Sequence, residues 1–79
     1  ADERLLAIAA AVRGRRRIRV NANTARSRVV FPIALTFGRR GWSIVDARSP
    51  EEPIPLEACG EVNISALGFP SEGTHTLPD

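Results

Sequence analysis

The chain has no lysine, no tyrosine and no methionine, and only one cysteine, one tryptophan and one histidine among 79 residues. A single cysteine, Cys59, excludes an internal disulfide framework, and a reducing cytosol is the compartment such a chain fits. The one histidine, His75, sits beside Thr74 and Thr76 and would need borrowed ligands to hold a metal. No apolar run approaches the roughly 20 residues of a membrane-crossing helix. The alanine-rich start does not read as a secretory leader, because it opens with Asp2 and Glu3 and its basic cluster follows the apolar part. At this length one domain is expected, burying only about 60% of its unfolded surface.

Without lysine, all 11 basic residues are arginines. Residues 1–48 hold every one of them against three acids, Asp2, Glu3 and Asp46, whereas residues 49–79 hold six acids and no arginine. The net charge of +2 conceals this division. It allows two outcomes: the halves cancel in the fold, or a basic face is kept for a phosphate-bearing partner. Catalytic constellations are missing. Cys59 has no evident base beside it and reads as a buried thiol, Glu51 and Glu52 are neighbours in a loop, and no P-loop or dinucleotide fingerprint occurs. No enzymatic activity, metal or cofactor is expected.

The clearest pattern runs from Val29 to Ala47. Val29, Phe31, Ile33, Leu35 and Phe37 are large and apolar and alternate with Val30, Pro32, Ala34 and Thr36, the period of a strand with one face on a core. Gly38-Arg39-Arg40-Gly41 breaks the run, and Trp42-Ser43-Ile44-Val45 resumes it, so a hairpin is expected with Trp42 and Ile44 inward. Pro32 cannot donate to a ladder, which requires an edge or a bulge there.

Before the hairpin, residues 2–13 predict a helix with Asp2 as N-cap, Leu5, Ile8, Ala9 and Val12 on one face, and Gly14 as the residue that ends it. Ile18 and Val20 then alternate with Arg17 and Arg19. If this strand pairs with the next across the turn-forming Asn21–Ala25, then Arg17, Arg19, Arg26 and Arg28 share one surface. After an acidic, proline-bounded loop, Ile54–Ala58 and Val62–Ala66 read as two more short strands, and from Gly68 the composition shifts to a tail or the lead into a neighbour. The expected fold is mainly β with one N-terminal helix, a small five-stranded antiparallel barrel over residues 1–67, with 68–79 outside it.

The order of these pieces, an Arg-rich strand, Val-Val-Phe-Pro-Ile, Gly-Arg-Arg-Gly-Trp-Ser-Ile and Ile-Pro-Leu-Glu-Ala-Cys, resembles the WYL domain over about residues 4–67. The resemblance implies an Sm-like, SH3-type barrel of the sort carried behind a helix-turn-helix module in bacterial transcription regulators, and also found with helicases and defence systems. Trp42-Ser43-Ile44 stands where the family has Trp-Tyr-Leu, and Ala58 stands at the arginine of its later motif. The inward residues are kept; the two polar ones that would meet a ligand are not.

Three functions follow as expectations. The first is a non-catalytic regulatory or sensing domain that binds an anionic ligand or nucleic acid through Arg17, Arg19, Arg28, Ser43 and Arg48. Ser43 enters because it takes the tyrosine's place. The second is a protein–protein interaction or homodimerisation module that has lost the family's ligand site. The third is a plain Sm- or SH3-like RNA-associated domain. With Trp42 inward and the phenylalanines in core phase, no aromatic platform for single strands is expected, so contact would be through phosphates.

Overall fold

A computed structural model describes residues 3–69. A helix, α1 (Glu3–Gly14), precedes β1 (Arg16–Val20), β2 (Arg28–Val30), β3 (Pro32–Gly38), β4 (Gly41–Asp46), β5 (Ile54–Pro55), a 3-10 turn (Leu56–Ala58) and β6 (Val62–Gly68). The strands form two antiparallel sheets of three, ordered β2-β1-β6 and β3-β4-β5, neither closed into a barrel. The chain is therefore mainly β with one N-terminal helix, as its alternating pattern requires. Counting strands along the sequence gives five; the described residues form six, three in each sheet.

The helix forms on the expected residues. Ile8 and Ala11 are buried, Leu5 and Val12 pack against the core beside them, and Leu6 is exposed on the far side. Gly14 belongs to the last turn, and the left-handed residue that ends the helix is Arg15, at φ 53°. The expected N-cap, Asp2, lies outside the described residues. Among the described residues no helix is long and apolar enough to cross a membrane.

β1 keeps its predicted phase: Ile18 and Val20 are buried, and Arg17 and Arg19 face the other way. It is the centre of its sheet, with Ile18 opposite both Val30 and Ile64, and Val20 opposite Arg28 and Val62. The long run after it does not stay one strand. It breaks at Phe31, so that β2 lies in one sheet and β3 in the other. Val30 and Pro32 are buried around the break, whereas Phe31 is half-buried. The β3–β4 register then shifts between Pro32 and Ala34. The expected inward phase of Val29, Phe31 and Ile33 is thus reversed: Val30 and Pro32 take the inner face, Ile33 is 39% exposed by alternation, and the extra residue after Pro32 then returns the inner face to Leu35. Pro32 thus sits at both an edge and an irregularity, as its missing N–H demands.

Past the shift, Leu35 faces Ile44 and Phe37 faces Trp42. These four share the face expected of them, but the hairpin outruns the core. Ile44 is fully buried, while Trp42 is 38% and Phe37 69% exposed. The expectation that Trp42 is buried against β3 and α1 is overturned, because among the described residues the core and the side chains packed on it extend along β3 to Leu35 and do not include the last pair. Arg39 and Arg40 form the turn and Gly41 follows at φ +87°, a conformation that a side chain at that position would resist.

The core comprises Ile8, Ala11, Ile18, Val20, Val30, Ile44, Leu56 and Cys59, flanked by Leu5, Val12, Leu35, Ile54 and Val62. Cys59 is buried as expected, its Sγ donating to the Pro55 carbonyl at 3.4 Å. Burial pushes its thiol pKa up, against the opposing charges of Arg4 and Arg28. The β1–β2 loop is stitched to the segment after the 3-10 turn by Asn21 N–H to Cys59 O at 2.6 Å and Ala22 N–H to Glu61 O at 2.9 Å. β6 runs to Gly68 and Phe69 is buried behind it, so packing continues two residues past 67. The rest of the expected tail, with His75, lies outside the described residues.

Candidate functional site

The site is built at the end of β4. Asp46 closes that strand with its side chain buried, only 3% of the residue exposed, and the next residues turn back at once. Its Oδ1 accepts the backbone N–H of Arg48 at 3.1 Å while its carbonyl accepts that of Ser49 at 3.0 Å, an Asx turn inside a β-turn. The same Oδ1 accepts the N–H of Phe31, at the break between the sheets, at 3.2 Å. Two guanidiniums close around the carboxylate: Arg48 Nε lies 3.6 Å from Oδ1 and Arg28 Nη2 3.8 Å from Oδ2. Arg48 also donates to the Val29 carbonyl. One acid therefore ties the break at Phe31, the end of β4 and two arginines into one corner.

Phe31 is the second element of the corner. Arg48 lies over its ring at 4.4 Å and Arg17 at 5.4 Å from the centroid. Phe69 stacks on the same ring at 4.9 Å between centroids and 19° between planes. Arg15 lies over Phe69 at 4.8 Å. Two stacked rings are thus flanked by arginines, and each cation–ring contact of this kind contributes about 0.5–1 kcal/mol at an exposed site. Arg17 is held further by Nε donating to the Gly68 carbonyl at 2.9 Å, and Arg19 by a 3.3 Å bond to the Ser27 hydroxyl.

Beside this column, on the outer face of the β2-β1-β6 sheet, a hollow of about 150 Å³ is lined by Arg17, Ile18, Arg19, Val29, Ser65 and Leu67. Two guanidiniums and a hydroxyl over an apolar floor suit a small anionic group with an apolar or planar attachment.

The expected site residues separate into three groups. Arg17 and Arg19 share the outer face, as their alternation requires. Arg48 joins them through Phe31. Arg28 is opposite Val20 in the β1–β2 register and so points to the other face from Arg19, reaching Asp46 instead. The four-arginine surface is corrected on that point, because β1 and β2 pair with Arg19 opposite Val29. Ser43 lies in the other sheet, between Thr36 and Pro55, and is not part of this group. Among the described residues, no ion pair links Arg17, Arg19 or Arg28 to Glu51, Glu52, Glu57 or Glu61. Arg28 and Arg48 instead share one carboxylate from within the basic half, Asp46, which leaves the three side chains a net charge of about +1.

Asp46, Phe31 and Phe69 are not legible as site residues from the sequence. Asp46 carries a signal, an acid at the end of an apolar strand followed by Ala-Arg-Ser, which favours an Asx turn. Phe31 falls with the inward odd positions of its run, and Phe69 falls in the tail segment. Three or more His, Cys, Asp or Glu side chains do not come together as a metal site among the described residues.

No protein-family model, no curated protein and no solved structure matches this chain.

Proposed function

We propose that this chain is a non-catalytic binding module of the WYL kind, taking an anionic ligand, with nucleic acid foremost, on the face formed by Arg17, Arg19 and Arg48. In this reading the two sheets are the halves of a small bent barrel, with β2 passing into β3 through the break at Phe31 as strands do when they turn a corner between sheets. The module would serve as the sensing part of a bacterial transcription regulator in the cytosol, next to a helix-turn-helix domain of the same chain.

The observation that carries this is the ordering of Arg17 and Arg48 on one phenylalanine ring beside a hollow that a second arginine, Arg19, completes. Long side chains held before the ligand arrives lose less entropy on binding it. Arg28 acts at one remove, by sharing Asp46 with Arg48. Replacing Arg17 and Arg19 by Glu should weaken oligonucleotide binding uniformly across sequences. It should also make the slope of log affinity against log salt shallower, by about 0.7 for each single-strand phosphate that the protein ceases to neutralise. An unchanged slope with retained folding would remove this face from the binding surface.

A second reading, a protein-interaction or homodimerisation module, is favoured by Leu6, Ile64 and Leu67, which stay exposed on α1 and β6. Light scattering across a concentration series decides it: a stable dimer that Leu67→Ser dissolves would put this reading first.

A further inference from the structure

The tip of the β3–β4 hairpin is a different surface, on the other sheet, and the corner around Asp46 uses none of its residues. Phe37 and Trp42 are cross-strand partners there, with ring centroids 5.0 Å apart in an edge-to-face pair inclined at 62°. Both are exposed, the phenylalanine by 69%. Arg39 and Arg40 cap them at the turn, exposed, and neither has a hydrogen-bond or ion-pair partner among the described residues. No acid occurs between Thr36 and Ser43.

We infer that this tip is a stacking platform for single-stranded nucleic acid: an unpaired base lies on the Phe37–Trp42 pair, and Arg39 and Arg40 meet the phosphates on either side of it. The chemistry is that of single-strand recognition, where an aromatic face takes any base and cations follow the backbone. Arginine adds a planar group able to stack as well as to bind phosphate. On the face of the rings the next cross-strand pair is Leu35 and Ile44, half-buried and buried, and Gly38 and Gly41 close the turn side, so the hairpin presents two exposed rings there and not the broad apolar area of a protein interface. With no acid in the tip and no ion pair to Arg39 or Arg40 among the described residues, both positive charges are left for a polyanion. The hairpin's own residues suffice for this, and the face at Arg17 and Arg19 need not bind anything.

Trp42 supplies its own readout. It is the only tryptophan and the chain has no tyrosine, so the indole emission of the whole protein comes from the tip. Titrating the full chain with a short oligodeoxythymidylate at low salt should quench Trp42 saturably, and a duplex of the same length should quench it far less. Phe37→Ala should weaken the titration by on the order of tenfold. Arg39→Glu with Arg40→Glu should abolish quenching, while the melting temperature of that double variant stays unchanged because both positions are exposed and make no contact that the fold needs. Arg17→Glu with Arg19→Glu should leave quenching in place even where it weakens total binding measured by the anisotropy of a labelled oligonucleotide; that pair of measurements separates failure of this site from failure of the other. Quenching that is absent at low salt, or equal with duplex, overturns the inference. So does an emission that moves to the blue with protein concentration alone, which would place the tip in the interface of a second copy. A blue shift on anionic lipid vesicles, with no response to the oligonucleotide, would overturn it in favour of a membrane surface.

Discussion

The two ends of β4 carry the same kinds of residue and use them in opposite ways. At its start, Trp42 and the turn residues Arg39 and Arg40 are exposed, the arginines without partners among the described residues. At its end, Phe31 lies under Arg17 and Arg48, and Asp46 holds Arg48 and Arg28. The difference is one buried carboxylate and the core beneath it. With an acid and a packed floor, arginine and phenylalanine are held in place before any ligand arrives; without them, they are held only by their own hairpin. Counting arginines as a basic face overlooks this, since much of the positive charge near the corner is already engaged.

The largest effect is expected between the two ends. Ile44→Ala empties a site with no solvent exposure and should cost about 2–5 kcal/mol, measured by urea unfolding. Trp42→Ala, two residues away on the same face, removes a larger side chain that is already 38% exposed and should cost less, about 1–3 kcal/mol for the aromatic pair and the covered part of the ring. Equal losses at the two positions would mean the hairpin is buried to its tip, and the contrast would collapse.

Asp46→Ala comes next. It leaves the N–H groups of Phe31 and Arg48 without their acceptor, at about 1–3 kcal/mol for each that stays dry. The guanidinium pairs add little, because both arginine side chains are more than half exposed. Asp46→Asn, which keeps an acceptor oxygen, should recover most of the stability. If it recovers none, the ion pairs matter more than the backbone bonds do.

A smaller effect separates the arginines. Arg48→Ser should lower stability by roughly 1 kcal/mol, because nothing then lies over the Phe31 ring from that side. Arg39→Ser with Arg40→Ser should stay within about 0.5 kcal/mol of the parent. Thermal melts of the two variants side by side would test whether the corner arginines are structural and the tip arginines are not.

The smallest effect at neutral pH belongs to Cys59, which lies in the core shared by both sheets. A thiol reagent should label it slowly in the native state and fast on unfolding. Its pKa is raised by burial, so the folded state favours the protonated thiol. Stability is then unaffected below the ordinary thiol range and falls as pH rises above about 8.5, where the unfolded thiol ionises first. Rapid native labelling would contradict the burial.

Local pattern determined a good deal of this. Period-two alternation placed Ile18 and Val20 inward and Arg17 and Arg19 outward, because successive side chains on a strand must point to opposite faces. The apolar spacing of α1, the glycine-bounded hairpin turn and the buried thiol were legible for similar reasons: each depends on neighbours within a few residues. Pro32 announced an edge or a bulge through its missing donor. Of the site, Arg17, Arg19 and Arg48 could be named as candidates, but not what holds them.

The rest was decided by packing at long range. Alternation tells which face a side chain takes, yet not whether anything covers that face, so Trp42 and Phe37 could be assigned inward and still emerge exposed. Val30 and Pro32 took the inner face in place of Val29, Phe31 and Ile33, and the register shift after Pro32 returned it to Leu35; no local pattern counts an inserted residue. Arg28 changed sides because pairing with β1, not its own strand, fixes what it faces. Asp46 became the centre of the corner only when Phe31, 15 residues earlier, was brought against it.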